Sequence, residues 1–236
     1  MNKLSFYEQV GIVIPGAVFL FVTMFYLPEL RNVLGKDGVN LGGLGVFVLI
    51  AYAMGHLLGA VGNLIEAAYW RTRGGMPTSW VVGSRPRLLS PEQIVRLEVV
   101  VNKRLGLDVK TLRNFDGSAW LPISRQIDAD VQTHVKASRI ETFNGNYGLN
   151  RGLCAAMLVL AFGSLLVQPA RWFVSLGLAA MSAVYLYRMH RFGLHYAGEL
   201  YNQFLLLPLD ATASKKVAER RGPEVADHHR SAAADH

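Results

Sequence analysis

The sequence predicts an all-α integral membrane protein with four transmembrane helices in two hairpins and a cytosolic helical insertion between the hairpins. Composition is the first indication, since 51% of the 236 residues are hydrophobic and 17% are charged, whereas soluble domains carry about 25% charged residues. The mean hydropathy is positive, at +0.24. The second indication is the grouping of apolar residues into four runs, and the third is the charge of the segment between them.

The four apolar runs cover residues 10–27, 41–62, 152–167 and 172–187. A helix needs about 18–20 apolar residues to cross the hydrocarbon core of a bilayer. The second run exceeds this length and the first just reaches it. The last two runs have about 16 residues each, and only residues 168–171 separate them, which predicts a tight helical hairpin.

Charge predicts the orientation in the membrane. Residues 71–151 hold 13 Lys and Arg against 7 Asp and Glu, so this segment supplies +6 of the total formal charge of +7. Positively charged loops stay on the cytoplasmic side, and four crossings place the N-terminus, the insertion and the C-terminus on the same side. Both termini are therefore expected in the cytoplasm; the resemblance described below implies that the membrane is a bacterial inner membrane.

The expected organisation has four parts. They are a first transmembrane helix pair (1–70), a basic cytosolic helical insertion (71–151), a second transmembrane hairpin with a cytosolic helical extension (152–207) and a tail expected to be disordered (208–236). The tail is rich in alanine, serine and charge, a composition that buries too little apolar surface to fold.

Helix signals within the insertion predict two helices. Ser90 is an N-cap, Pro91 takes the first helical position and Gln93 completes a capping box. Gly106 ends this helix. A second helix is expected from Ile123 on, where apolar residues recur at every fourth position.

The helices of the second hairpin are expected to continue outside the bilayer. The helix from Ile123 either runs through ETFNGNYGLNRG, residues 141–152, into the third membrane helix or bends at a hinge among its glycines and asparagines. The fourth helix remains helix-compatible to Leu207, and Pro208 ends it. The cytosolic lobe therefore combines residues 71–151 with the end of the fourth helix.

The second run carries an unusual polar face within AYAMGHLLGAVGNLIE. Five polar or small residues fall within about 80° of arc on a helical wheel, namely Tyr52, His56, Gly59, Asn63 and Glu66. One interpretation is a packing surface within or between subunits, because small residues allow close helix contact and polar groups bond across it. The other is the wall of a water-filled path, because polar residues at membrane depth are costly and mark function.

A second polar group follows the fourth run, comprising Arg188, Arg191, His195 and Glu199. The last three are spaced four residues apart, which suits a ladder of ion pairs. Arg188 and His195 form an R-x6-H pair that resembles the signature of HEPN ribonucleases, which implies action on the 2′-hydroxyl and phosphate of RNA. The favoured interpretation is a belt of interfacial cations and aromatic residues.

Four arginines follow the second membrane helix, at Arg71, Arg73, Arg85 and Arg87. They are expected to contact anionic headgroups or another anion, and Glu66 is expected close to the first two. Nucleic acid is the less favoured partner, since no RNP, KH, zinc or P-loop pattern accompanies the charge.

The chain shows no enzyme motif. G-x-S-x-G, H-E-x-x-H and C-x-x-C are all missing from the sequence, so neither catalytic residues, nor a cofactor, nor a metal site is predicted. The single cysteine, Cys154, lies within GLCAAMLVL and is expected to be a buried small hydrophobic residue.

Several strings resemble small multi-pass bacterial membrane proteins associated with anti-phage and CRISPR systems. They are FYEQVGIVIPGAVFL, GHLLGAVGNLIE, NYGLNRGL and RFGLHYAGELYNQFL. The resemblance implies a membrane effector or accessory protein that forms homo-oligomers, alters permeability and works with a soluble defence-system partner. The polar positions that it singles out are Asn63, Glu66, Asn150, Arg151, Arg191, Tyr196 and Glu199.

The sequence therefore predicts a homo-oligomeric inner-membrane effector or accessory protein in anti-phage defence. Its partners would be the lipid bilayer and further copies of itself, and its second helix would supply either a subunit contact or a pore wall. The alternative is a membrane-anchored sensor or scaffold whose basic lobe recruits a soluble partner or nucleic acid.

Overall fold

The computed structural model describes residues 6–27, 41–84, 86–109, 111–134 and 138–208. Within these residues the fold is all-α, as predicted, and contains no strand. Its helices are α1 (Phe6–Tyr26), α2 (Leu41–Thr72), α3 (Pro91–Leu105), α4 (Gly117–His134), α5 (Ser138–Val167) and α6 (Trp172–Leu206). The predictions for Arg85 and for the tail from residue 209 on fall outside the described residues.

Among the described residues, three helical segments are long and apolar enough to cross a membrane. They are Gly42–Ser79, Arg139–Val167 and Pro169–Leu206, and a shorter apolar segment covers Val10–Tyr26. In the most apolar 18-residue stretch of each segment, 56% of the α5 segment is buried, against 17% for each of the other two. The helix α5 is therefore the centre of the bundle, in contact with α1, α2 and α6.

Glycines set the distance between α1 and α2. A Cβ atom built on Gly16 would lie 1.8 Å from the carbonyl oxygen of Ala51, and one built on Gly55 would lie 2.0 Å from that of Ile12. Neither distance is physically accessible to a side chain. The two backbones touch at this crossing, which is the geometry that small residues permit in membrane helices.

The helix α5 is continuous through the stretch for which a hinge was one expectation. It begins at Ser138 and reaches the bundle without a break. The side-chain amides of Asn146 and Asn150 donate to carbonyl oxygens four residues earlier, at 2.8 and 2.6 Å, a bond that is compatible with a helix. Gly152 faces α1, where an added Cβ would lie 2.7 Å from Cγ of Pro15. The glycine therefore makes room for a neighbouring helix.

The lobe has its own hydrophobic core, shared by α3, α4 and the end of α6. Trp120 of α4 is fully buried, and its Nε1 donates to the hydroxyl of Tyr201 at 2.9 Å and to the carbonyl of Thr78 at 3.0 Å. Leu97 and Phe204 are also inaccessible to solvent. One helix, α6, therefore belongs to both the bundle and the lobe.

The first predicted helix of the lobe is confirmed at both ends. The Ser90 hydroxyl accepts the N–H of Gln93, and the side chain of Gln93 accepts the N–H of Ser90, which completes the capping box. Gly106 takes the left-handed conformation at the other end, with φ of 65°.

The second predicted helix of the lobe begins earlier than expected. It starts at Gly117 and ends at His134, so a start at Ile123 is wrong. The carboxylate of Asp116 accepts both the N–H and the hydroxyl of Ser118 and thereby caps the helix. The same hydrogen bonds lower the pKa of the Asp116 carboxyl from its ordinary value.

Candidate functional site

A cleft of about 310 Å³ lies where the lobe meets the bundle. Helices α2, α4, α5 and α6 and the 3₁₀ turn Pro77–Ser79 all contribute to its wall. The charged residues in the wall are Glu66, Arg125, Asp128 and Arg151. A second, more open cleft of about 440 Å³ shares Glu66 and Arg151 with the first and extends along α2 to Asn63. The shared pair of charges therefore borders both clefts.

Glu66 and Arg151 form the ion pair at this border. Nη1 of Arg151 lies 2.5 Å from Oε2 of Glu66, and the two side chains are 28% and 15% exposed. The sequence placed Glu66 close to the arginines that follow α2, but its ion pair is with α5. Gly62 allows this contact, because an added Cβ would lie 3.0 Å from Cγ of Arg151.

A buried hydrogen bond joins the same two helices one turn further on. Nε1 of Trp70 donates to the hydroxyl of Tyr147 at 2.8 Å. Trp70 also stacks on His190 of α6, with ring centroids 5.3 Å apart. These aromatic residues fix the relative positions of α2, α5 and α6 at the cleft.

In the first cleft, the aspartate oxygens have hydrogen-bond partners within the described residues, whereas one arginine nitrogen has none. Both oxygens of Asp128 are occupied, since Oδ1 accepts the hydroxyl of Tyr196 at 3.2 Å and Oδ2 accepts Nε2 of Gln132 at 2.9 Å. By contrast, Nε of Arg151 is buried without a hydrogen-bond partner. The cleft therefore has occupied acceptors and an unpaired donor.

The part of the polar face of α2 that precedes Glu66 is not packed against another described helix. The buried face of α2 consists of Ala51, Gly55, Leu58 and Gly62, which lies about 100° around the helix axis from the polar residues. Tyr52, His56 and Asn63 are exposed, and a Cβ added at Gly59 would meet nothing within 4 Å. Of the predicted stripe, only Glu66 contacts another helix through an ion pair in the described residues.

Within the stripe, Tyr52 and His56 contact each other. Their rings meet edge to face with centroids 4.6 Å apart. Both residues belong to α2, so this contact does not join α2 to another described helix.

The predicted ladder on α6 does not form. His195 stacks on the ring of Phe143 at 5.6 Å, and Glu199 is paired with Arg139 of α5 at 3.9 Å. The spacing would allow a ladder, but α5 runs alongside and supplies competing partners. Arg191 lines a surface groove instead.

Arg188 and His195 lie on that same surface groove of α6, of about 240 Å³. Nε of Arg188 donates to Oδ1 of Asn150 at 3.1 Å, and its guanidinium lies 5.6 Å from the ring centroid of Phe192. The R-x6-H pair thus shares one groove, with its arginine engaged by α5.

Two of the arginines after α2 pack on aromatic rings. The guanidinium of Arg73 lies 5.3 Å from the ring centroid of Tyr69, and that of Arg87 lies 4.3 Å from that of Trp80. Nη2 of Arg87 also donates to the carbonyl of Arg73 at 3.1 Å. Arg71 is exposed beside them. Cations and aromatic rings in this arrangement are typical of a membrane interface.

Two residues of the cleft, Asn144 and Tyr147, were not predicted from the sequence. They lie seven and four residues before Arg151, a position that the resemblance singled out, and all three line the cleft. Their shared face of α5 was therefore a detectable signal. No local sequence pattern linked Arg125 and Asp128 to this cleft. They lie on α4, and only the tertiary packing of the lobe brings α4 to the cleft.

Among the residues that the structure describes, no group of three or more His, Cys, Asp or Glu side chains is placed to hold a metal ion. Cys154 is 2% exposed, which confirms the prediction of burial. Comparison of the chain with protein-family models, with curated proteins and with solved structures finds no match.

Proposed function

We propose that the protein is a homo-oligomeric inner-membrane effector or accessory protein whose subunits meet along α2. One observation carries the proposal: Tyr52, His56 and Asn63 are exposed on an apolar helix, and no other described helix packs on Tyr52 or His56. An amide or imidazole facing hydrocarbon without a partner costs several kcal/mol. A second copy of the chain, or water held between copies, removes that cost.

The shape of this face supports a close helix contact. Gly59 lies between His56 and Asn63, and a Cβ added there would meet no described atom of another helix within 4 Å, so a helix from another subunit can approach the backbone there. The tyrosine, imidazole and amide then bond across the contact or line a polar path. The first arrangement gives a sealed oligomer, and the second gives a pore.

The proposal includes four membrane crossings in two hairpins. The helix α1 has 21 residues, which at 1.5 Å per residue is about 31 Å, close to the thickness of the hydrocarbon core. It packs against α2 and α5. The lobe and both termini then lie in the cytoplasm, with Arg71, Arg73 and Arg87 at the headgroups.

A role in anti-phage defence is supported by the resemblance described from the sequence. An effector of that kind acts by changing membrane permeability, which requires a polar surface within the membrane. The stripe on α2 supplies such a surface. The protein is proposed to act without an enzymatic step of its own.

A cross-linking experiment tests the subunit contact. In a Cys154→Ser background, Asn63→Cys and Leu64→Cys place single cysteines on adjacent exposed positions of α2, about 100° apart. We expect oxidation in native membranes to give a disulfide-linked dimer with Asn63→Cys and little with the control. Equal yields, or a monomer mass for the purified protein in several mild detergents, would contradict the proposal.

A second candidate function, a membrane-anchored sensor or scaffold, is favoured by one feature of the lobe. Val95 and Val99 lie one turn apart on α3 and are 60% and 44% exposed. Such a pair offers a small apolar contact for a soluble partner. In that case Val95→Glu abolishes the biological effect of the full chain, while Asn63→Leu leaves it intact.

A further inference from the structure

The cleft between lobe and bundle combines two arginines whose hydrogen-bonding capacity is not used. Nε of Arg151 is buried in this conformation and has no hydrogen-bond partner among the described residues. Arg125 lines the same cleft from α4 and makes no ion pair or hydrogen bond within the described part of the chain. Guanidinium groups present five donors in a planar fork that matches carboxylate and phosphate groups.

The acidic groups in the cleft are already engaged. Both oxygens of Asp128 accept hydrogen bonds from Tyr196 and Gln132, and Glu66 is paired with Arg151. A cationic ligand would therefore have to displace existing partners. An acceptor ligand would instead satisfy donors that are otherwise unpaired.

We propose that this cleft binds a small molecule through an oxyanion group, a phosphate or a carboxylate, held between Arg125 and Arg151. The volume of about 310 Å³ is at the lower end of the range for small-molecule sites, about 300–1,000 Å³. The exposed amide of Asn144 lies in the same wall and hydrogen-bonds the rest of the ligand. This site is separate from the subunit contact proposed above.

Binding at this position connects the two parts of the molecule. Arg125 belongs to the lobe and Arg151 to the bundle, so an oxyanion between them forms a bridge. It also competes with Glu66 for the guanidinium of Arg151. Two sources share this chemistry: a soluble phosphate compound, and the headgroup of an anionic phospholipid entering from the more open cleft beside α2.

Inorganic phosphate is the first probe. The full chain is purified in detergent, washed free of lipid as judged by phosphorus analysis, and unfolded thermally in phosphate or in chloride at equal ionic strength. A ligand that binds only the folded state raises the unfolding midpoint in a saturable way. We expect saturation with phosphate and not with chloride, and identical curves for the two salts would overturn the proposal.

Two variants with opposite expected effects separate binding from general destabilisation. Arg125→Gln should weaken phosphate binding about ten-fold, since it removes a charge-assisted contact. Glu66→Gln should tighten it about three-fold or more, since it frees Nη1 of Arg151 and leaves that charge in need of an anion. The matched control is Arg113→Gln, another exposed arginine of the lobe, which should leave the affinity unchanged. Equal affinities for Arg125→Gln and Arg113→Gln would refute the assignment.

Reconstitution identifies the source of the oxyanion. The protein is placed in nanodiscs of phosphatidylcholine alone or with phosphatidylglycerol added. Loss of the phosphate effect in the anionic discs, restored by dilution with neutral lipid, assigns the site to a headgroup. A rise in the unfolding midpoint of equal size in both kinds of disc assigns the oxyanion to a soluble compound. If phosphate raises the midpoint neither in detergent nor in either kind of disc, the site is rejected.

Discussion

The crossing of α1 and α2 gives the sharpest test of the fold, through the substitution Gly55→Ala. An added Cβ would lie 2.0 Å from the carbonyl oxygen of Ile12, whereas ordinary contacts begin near 3.4 Å. The two backbones would have to separate by about 1.4 Å, the difference between these distances. Because the opposing atom is backbone, no side-chain rotation relieves the clash.

The expected change in the free energy of unfolding is the difference between two opposing contributions. Overpacking of this kind costs about 1–3 kcal/mol, while replacing glycine by alanine within a helix gains about 0.8–1.0 kcal/mol. Because the clash at Gly55 is with backbone, its cost should lie at the upper end of the overpacking range. We therefore expect the free energy of unfolding to fall by about 2 kcal/mol. In a chain of this length the unfolding midpoint falls by about 4–8 °C.

Gly177→Ala is the matched control for this prediction. It lies in the apolar part of α6, away from the proposed subunit contact, and its Cβ would meet nothing within 4 Å. Only the gain in helix propensity then applies, so the midpoint should stay the same or rise. Tryptophan fluorescence of the purified protein during heating measures both variants. A midpoint for Gly55→Ala equal to that of Gly177→Ala would show that the helices do not cross at this glycine.

Three further outcomes are expected. Trp120→Ala should destabilise the lobe by about 3–5 kcal/mol, seen as early loss of protection from hydrogen exchange in α3 and α4 while α5 stays protected. Asn63→Leu should reduce dye leakage from reconstituted vesicles if the α2 stripe lines a pore, whereas the lipid-facing Leu64→Ala should leave the leakage rate unchanged. The wild-type protein and His195→Ala should leave RNA equally intact in a gel assay, and cleavage lost in the variant would revive the ribonuclease interpretation.

The sequence was a good guide wherever the signal is local. The capping box of Ser90 and Gln93 and the terminal Gly106 depend on residues within one turn of each other, so they were readable without tertiary information. Burial of Cys154 followed from its apolar neighbours in the same way. The start of α4 was missed because the prediction rested on the apolar repeat that begins at Ile123, whereas Asp116 caps the helix two turns before that repeat.

The sequence did not show which residues of different helices contact each other. The periodicity of α2 showed which residues share a face, but a helical wheel does not show which face meets the neighbouring helix. Gly55 and Gly62 form the packed side, whereas the more polar Gly59 side is exposed. In the same way, the spacing of His195 and Glu199 allowed a ladder, and α5 offered Phe143 and Arg139 instead.

The position of the Glu66–Arg151 pair links the stripe to the lobe. The polar residues of α2 run from Tyr52 toward Glu66, and the more open cleft contains both Asn63 and Glu66. The pair therefore stands at the end of the stripe and at the wall of the first cleft. Under the two proposals above, a ligand that draws Arg151 away from Glu66 would leave the carboxylate with the hydroxyl of Tyr147 as its partner but without an opposite charge, and hydration of that end of α2 would lower the cost. Occupancy of the cleft and hydration of the stripe would then be coupled through the guanidinium of Arg151.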